Sequence, residues 1–389
     1  MTDWVVLILK HGFMKRFLIC VCLLALFFPA KAHAVPDYSA QAFILYEPRT
    51  GTVLREKKAD EPMLIASTTK IMTALLVVEH CAMQETVNIT EAMCGAEGSS
   101  LYLTEGQQFT VEELLYGLML ASANDAAEAL AIHTAGSIDA FAAMMNEKAA
   151  SLGMANTHYA NPHGLDDPAG QHYSSARDLA RLTAAAMENP LFCRFFSARE
   201  FEIHGTVIEN HNKLLASYDG CLGGKTGYTR AAGRTLVSCA ERDGLRLICV
   251  TLSDPDDWND HRALFDAAFA DYRFLTFPET GWKSVPAISS TLSAVPLRCS
   301  VPYALVRNGR EAQVHVSLPR FVFAPVSRGD ALGSLVVAVR GKVVVRAELL
   351  AAADAPVDPA QRLRPWERLT RLGDQYIPTG RNESILIRA

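Results

Sequence analysis

Taken as a whole, this chain carries no surplus of positive charge. Its 37 Lys and Arg are set against 42 Asp and Glu, a formal net charge of −5 over 389 residues. Nucleic acid finds no basic field to bind here, and that class of partner is excluded. Nor is any apolar run a comfortable membrane span: the greasiest, Phe17 to Phe28, falls short of the roughly 20 residues that a bilayer requires. Disulfide scaffolding is missing too. Two of the nine cysteines, Cys20 and Cys22, lie in that run, and the odd number left cannot all pair within one chain. Cys239 and Cys249 flank a hairpin turn at Asp243-Gly244; with Arg242 facing Leu245 their side chains point to opposite faces, so no bridge joins them. Mostly buried free thiols are expected.

What is present begins with an address. From Met14 the chain reads two basic residues, the apolar run, then small residues at Ala32 and Ala34, the order of a secretory signal peptide cleaved after Ala34. Residues 1–34 are therefore assigned to a signal, and the mature protein to the extracytoplasmic cell envelope. Cys20 and Cys22 sit inside the run and not at its end, against a lipoprotein anchor.

Half the residues are hydrophobic, ample for one large core and a second domain. "AQAFILYEPRTGTVLREK" alternates around Arg49-Thr50-Gly51 as a β-hairpin, and "LIASTTKIMTALLVV" follows as a helix. A long helical stretch is expected over Val111 to about Gly153, another helix over Ala176–Glu188, and strands over 201–208 and 233–252. A terminal helix, "HRALFDAAFADYRFL", closes the unit near residue 276. Strands at both ends with helices between them imply an α/β (α+β) domain over 35–278: one antiparallel sheet with a helical insertion. A small all-β domain is expected over 285–353, with turns at Asn308-Gly309 and Arg340-Gly341. The tail, 354–389, places Trp366, Leu369 and Leu372 among arginines; it reads either as a short interfacial helix in peripheral contact with a membrane or as a solvated tail.

Three short motifs need one another. Ser67 and Lys70 stand three residues apart at the head of a helix, where partial positive charge makes a lysine an odd choice. A serine hydroxyl is a weak nucleophile until a base takes its proton, and a crowded, desolvated lysine has its pKa lowered enough to be that base. Alone, S-x-x-K is equally a helix cap with a surface lysine. "ASANDAAEAL" adds Ser122 and Asn124, with Asp125 as a cap candidate, and "GGKTGYTRAAGRTLV" adds Lys225, Thr226 and Gly227 entering a strand. S-x-x-K, S-x-N and K-T-G in that order are the signature of penicillin-recognising serine enzymes. Ser122 is suited to relay a proton, Asn124 to hold Lys70 and a substrate amide, Lys225 to attract a carboxylate, Thr226 to bind it, and Gly227 to let substrate backbone lie along a strand edge.

The sequence closely resembles the low-molecular-weight penicillin-binding proteins of the D-alanyl-D-alanine carboxypeptidase family. The likeness extends over about residues 37–276, through blocks such as "ILYEPRTGTVLREKKADEPMLIASTTKIMTAL" and "NPHGLDDPAGQHYSSARDLARL". It implies a β-lactamase/DD-peptidase-like fold and removal of the terminal D-alanine from peptidoglycan stem peptides through an acyl-serine. It also implies no metal or cofactor, and acylation of the same serine by β-lactams. Ser67 would be the nucleophile, Lys70 the base, and Ser122 the relay. Asn124, Lys225, Thr226, Gly227 and Tyr228 would bind substrate, with the amides of Ser67 and Tyr228 as the oxyanion hole. Asp178 reads as structural support under the site.

Two departures stand out. Tyr228 follows K-T-G where some members have His, and His211 lies between two asparagines where some have the arginine that holds the substrate carboxylate. Thr226 and Lys225 are then expected to carry more of that load. A β-lactamase is disfavoured because the loop over 156–172 has Asp166 and Asp167 but no glutamate followed by Leu-Asn. Endopeptidase action and a penicillin-sensing module with a vestigial site are the other readings.

Overall fold

The computed structural model describes residues 38–277, 283–309, 311–361 and 381–388; the segment read as a signal and the Trp366 stretch lie outside them. Period-two alternation over Ala42–Glu47 and Thr52–Lys57 folds back at Gly51, whose φ of +70° suits the turn. These strands join three from the other end of the domain in a five-stranded antiparallel sheet. Its order is Thr52–Lys57, Ala42–Glu47, Leu245–Leu252, Gly233–Arg242, Cys221–Thr229. The sheet built from both chain ends is thus as expected, and the K-T-G strand is its edge.

The helix Lys70–His80 is buried from Lys70 through Val78. It needs an apolar surface all round because the helices Val111–Met119, Asn124–Ala135, Ile138–Ser151 and Ala176–Ala186 all pack against it. The continuous helical stretch expected over 111–153 is three helices. Thr110 starts the first with a capping box to Glu113, Gly136 at φ +82° ends the second, and Ser137 caps the third. Ser122 at φ +59° lies in the link between the first two and not within a helix.

The last helix also ends early, at Asp271. Tyr272–Thr276, rich in aromatic and branched residues, instead pairs with Tyr303–Arg307. That pairing corrects the hairpin expected about Asn308-Gly309, since Glu311–Leu318 pairs elsewhere, with Ala331–Val339 and Arg381–Arg388. The hairpin at Arg340-Gly341 forms as expected. Seven strands make the second sheet, packed on a core that includes Val285, Leu297, Val314 and Val337. Its edge strand Arg381–Arg388 belongs to the region read from sequence as tail.

All seven described cysteines are free. Cys239 pairs with Ile248 and Cys249 with Ser238, so the two thiols do face oppositely. Cys81, Cys94, Cys193 and Cys221 are only half-buried, more exposed than expected. Among the described residues no helix is long and apolar enough to cross a membrane.

Candidate active site

Ala66–Thr69 forms a single 3-10 turn, and the α-helix begins only at Lys70. Residues i and i+3 eclipse in that geometry, which brings Lys70 Nζ to 2.8 Å from Ser67 Oγ. The same nitrogen stands 2.7 Å from Asn124 Oδ1 and 2.8 Å from the carbonyl of His163. Asn124 is fixed in this sense because its Nδ2 donates to the Glu97 carbonyl at 2.5 Å. Two neighbours of Lys70 can therefore only accept, while the Ser67 hydroxyl can also donate. An uncharged amine, with two N–H groups and one lone pair, satisfies all three. Electrostatics point the same way. Burial holds Lys70 well below the usual amine range, the charge of Lys225 lowers it further, and the Asp125 carboxylate opposes them.

Lys225 projects from the edge strand, fully buried, and donates to Ser122 Oγ and to the Thr226 carbonyl, each at 2.9 Å. Burial pushes its pKa down to about 7. Ser122, held in the left-handed region at φ +59°, offers its hydroxyl to Lys225 and lines the cleft beside Ser67. Two hydrogen-bonded sets drawn from three parts of the sequence thus make up the site: Lys70 with Ser67 and Asn124, and Lys225 with Ser122.

Gly227 makes the meeting of strand and turn feasible. A Cβ there would stand 2.9 Å from the Ser67 amide nitrogen and 3.1 Å from Ala66 Cβ. Thr235, on the next strand, donates to the Ile65 carbonyl at 3.1 Å and pins the turn from below. Behind it, His172 Nδ1 accepts from the Ala160 amide at 3.1 Å, so its Nε2 carries the proton toward Thr69 Oγ1 at 2.8 Å. Burial drives His172 down to about 3, which keeps that tautomer neutral. Asp178 stays away from the cleft: it accepts from the Asn156 amide at 2.8 Å and Thr157 Oγ1 at 2.9 Å, supporting the loop as expected.

A cleft of about 570 Å³ opens over Ser67, Ser122, Thr226 and Gly227, with Tyr228 an exposed wall. His211 lines it, and burial, followed by the charge of Lys225, lowers its pKa, so it brings no firm positive charge. The cations that do line it, Lys213 and Arg234, were not singled out from sequence. Arg234 directly faces Tyr228 across the hairpin. Its guanidinium holds Asp257 at 2.7 and 2.9 Å and lies 5.5 Å from the Trp258 ring. A signal existed: the turn over 230–232 folds the chain back and returns Arg234 to the cleft.

A family profile described as D-alanyl-D-alanine carboxypeptidase matches residues 29–256. D-alanyl-D-alanine carboxypeptidase DacB2 of Mycobacterium tuberculosis is 38% identical over 252 residues, 62% of this chain and 86% of the relative. DacF of Bacillus subtilis, with the same description, is 31% identical over 373 residues, 88% of this chain and 95% of the relative. Among solved structures, penicillin binding protein 5 of Haemophilus influenzae superposes with a TM-score of 0.70 at 28% identity, over 82% of this chain and 98% of that one. The sheet made from both chain ends and the second β sheet are therefore features of the penicillin-binding DD-peptidase fold. With the matched region spanning every motif in the cleft, the chain belongs to the D-alanyl-D-alanine carboxypeptidase family.

Proposed function

We propose that Ser67 is the acylated nucleophile of a serine-type D-Ala-D-Ala carboxypeptidase. The observation that carries this is the 2.8 Å approach of Lys70 Nζ to Ser67 Oγ, inside a hydrogen-bond set that an uncharged amine completes. Lys70 takes the hydroxyl proton as Ser67 attacks the carbonyl of the penultimate D-alanine. The amides of Ser67 and Tyr228 receive the developing oxyanion, a contribution of a few kcal/mol. Ser122, bridging toward Lys225, passes a proton to the leaving D-alanine nitrogen. Water then hydrolyses the acyl-serine. Asn124 orients both Lys70 and the substrate amide, and the substrate backbone lies along the edge strand at Gly227.

The terminal carboxylate is held by Thr226, Lys225 and Arg234. Arg234 supplies the fixed charge that His211 lacks, and its planar fork suits a carboxylate. No metal or cofactor enters these steps. Penicillins, which mimic the acyl donor, would arrest the enzyme as a Ser67 adduct. The loop over 156–172 carries Asp166, engaged by Thr229 Oγ1 at 2.9 Å, and no glutamate of the kind that activates the deacylating water in class A β-lactamases. Residues 1–34 would export the protein to act in the cell envelope, and residues 354–389 would provide any peripheral membrane contact. Residues 35–278 would act as the catalytic domain and 285–353, completed by the strand Arg381–Arg388, as its small β companion.

Mass spectrometry of penicillin-treated protein, paired with D-alanine release from a stem pentapeptide, tests the assignment. The adduct is expected on Ser67, and Ser67→Ala loses release by roughly 10⁴-fold or more. An adduct on another residue overturns the assignment of the nucleophile. Acylation without release identifies a sensor, and rapid repeated nitrocefin turnover identifies a β-lactamase.

A further inference from the structure

The helices Lys70–His80 and Asn124–Ala135 both begin in the cleft, where Lys70 meets Asn124, and run away from it side by side. Their far ends also meet, through a different chemistry. Cys81 caps the first helix, Glu85 follows in the next turn, and His133 lies in the last turn of the second. Sγ of Cys81, a carboxylate oxygen of Glu85 and a ring nitrogen of His133 all lie within 4.8 Å of one another. His133 Nε2 is 3.0 Å from Glu85 Oε2, and Cys81 Sγ is 3.3 Å from Thr134 Oγ1.

We infer that Cys81, Glu85 and His133 form a binding site for a borderline-soft divalent cation of the zinc class. One thiol, one imidazole and one carboxylate are the three donor types that zinc takes in tetrahedral sites. Bond lengths of about 2.0–2.3 Å put tetrahedral ligands roughly 3.2–3.8 Å apart, so around an ion the His133–Glu85 pair, now at 3.0 Å, opens slightly and the approaches to Cys81, all within 4.8 Å, close by about 1 Å at most. Hard cations such as Mg²⁺ prefer oxygen shells and are disfavoured by the sulfur. Cys81 binds as thiolate and releases its proton to solvent. His133 binds through the Nε2 lone pair as the Nδ1–H tautomer, and water fills the fourth position. Thr134, whose hydroxyl donates to the Leu130 carbonyl at 2.7 Å while Cys81 keeps its proton, turns that donor to the sulfur, 3.3 Å away, once Cys81 binds as thiolate.

The site lies about 16 Å along the helix from Lys70, at 1.5 Å per residue. An ion there has no part in the acyl chemistry. It joins the distal ends of the two helices whose proximal ends carry Lys70 and Asn124, and so stabilises the fold by linkage.

Cobalt tests this with the whole protein at neutral pH, in a reducing, non-chelating buffer. Wild type is expected to develop a near-ultraviolet thiolate-to-cobalt absorption that saturates at one ion per chain and is displaced by Zn²⁺. Cys81→Ser and His133→Ala abolish the band, Cys94→Ser keeps it, and Thr134→Val weakens affinity about tenfold. At a hundredfold excess over Kd, Zn²⁺ is expected to raise the wild-type Tm by roughly 3–8 °C and leave Cys81→Ser unmoved. Retained fluorescent-penicillin binding shows that a variant is folded; should Cys81→Ser fail this, His133→Ala decides. No band in wild type, or a band that survives in a folded Cys81 or His133 variant, overturns the site.

Discussion

A Cβ at residue 227 would come within 2.9 Å of the amide nitrogen of Ser67, so the edge strand and the Ser67 turn lie nearly backbone to backbone. That contact sets the width of the cleft at the place where an acyl oxygen must settle. Gly227→Ala would also meet Thr235 Oγ1, the hydroxyl that pins the turn at Ile65, so it should displace that hydroxyl and push strand and turn apart by several tenths of an ångström. Backbone donors lose their aim over such distances, and loss of one oxyanion donor costs about 10²–10³ in rate. The expected result is penicillin acylation slowed by that factor, with Tm within a few degrees of wild type; stopped-flow acylation and calorimetry measure the two. Acylation at the wild-type rate would mean that the oxyanion lies elsewhere.

The cleft's chemistry was legible in the sequence because its members sit in short motifs whose internal spacing survives folding. Ser67 and Lys70 are one turn apart in either helix type, so reading a 3-10 turn as an α-helix did no harm. Ser122 was harder: nothing local announces a left-handed serine in a run of alanines and leucines, and the break that isolates it follows from packing around the central helix. Tyr272–Thr276 failed for a related reason. Its helix-like spacing continued that of Asp257–Asp271, and only a partner strand some thirty residues later turned it to β. Lys213 escaped because charge in a cleft is a property of the tertiary surface, whereas Arg234 could be read from the hairpin register that sets it opposite Tyr228.

The two lysines predict a narrow working range. Lys70 must be uncharged to act as base, and burial and Lys225 both favour that form. Lys225 must be charged to attract a carboxylate, yet burial puts its pKa at about 7. Above that value it loses its proton and the attraction with it, so kcat/KM should fall on the alkaline side of neutrality. Lys225→Arg keeps the charge at all relevant pH and should carry the falling limb upward by two or more pH units. Its peak rate drops, because the larger guanidinium crowds Ser122. A pH profile of D-alanine release reads both effects, and an unmoved limb in the variant would assign it to another group.

The same pair bears on stability. Lysines of depressed pKa are disfavoured in the folded state when charged, so the unfolded chain binds more protons between the folded and unfolded values. For Lys225 that window runs from about 7 to the ordinary 10.5. Stability should therefore rise with pH across it, and Lys225→Met should flatten the rise. Urea denaturation at several pH values measures the slope.

Asp125 predicts a structural loss that reaches the cleft wall. Its buried carboxylate accepts from Ser100 Oγ at 2.6 Å, from the amides of Leu101 and Leu103 at 3.0 Å, and from its helix neighbour Ala126 at 2.9 Å. Asp125→Ala strands these donors and should cost about 3 kcal/mol. The loop they hold adjoins Ser99, which lines the cleft. Denaturant midpoints should fall accordingly, and acylation should slow as well. A midpoint within experimental error of wild type would show that water replaces the carboxylate.

Arg234 separates binding from chemistry. The guanidinium faces the cleft beside Thr226 and Tyr228 but touches neither Ser67 nor Lys70. Its loss should weaken recognition of the terminal carboxylate and leave the acyl step alone. A charge-assisted hydrogen bond is worth about 1.5–3 kcal/mol, or roughly 10–150-fold. Arg234→Gln should therefore raise KM for a D-Ala-D-Ala peptide within that range at nearly constant kcat, while barely changing turnover of the corresponding D-alaninamide, which has no carboxylate. The complication is Asp257, whose side chain is only 2% exposed and would be left as an unpaired buried charge. The double variant Arg234→Gln, Asp257→Asn removes both charges together and restores the fold without restoring the anchor. If its KM for the acid remains high while its Tm recovers, Arg234 holds the carboxylate. If KM recovers along with Tm, Arg234 serves only to neutralise Asp257, and the carboxylate rests on Thr226 and Lys225 alone.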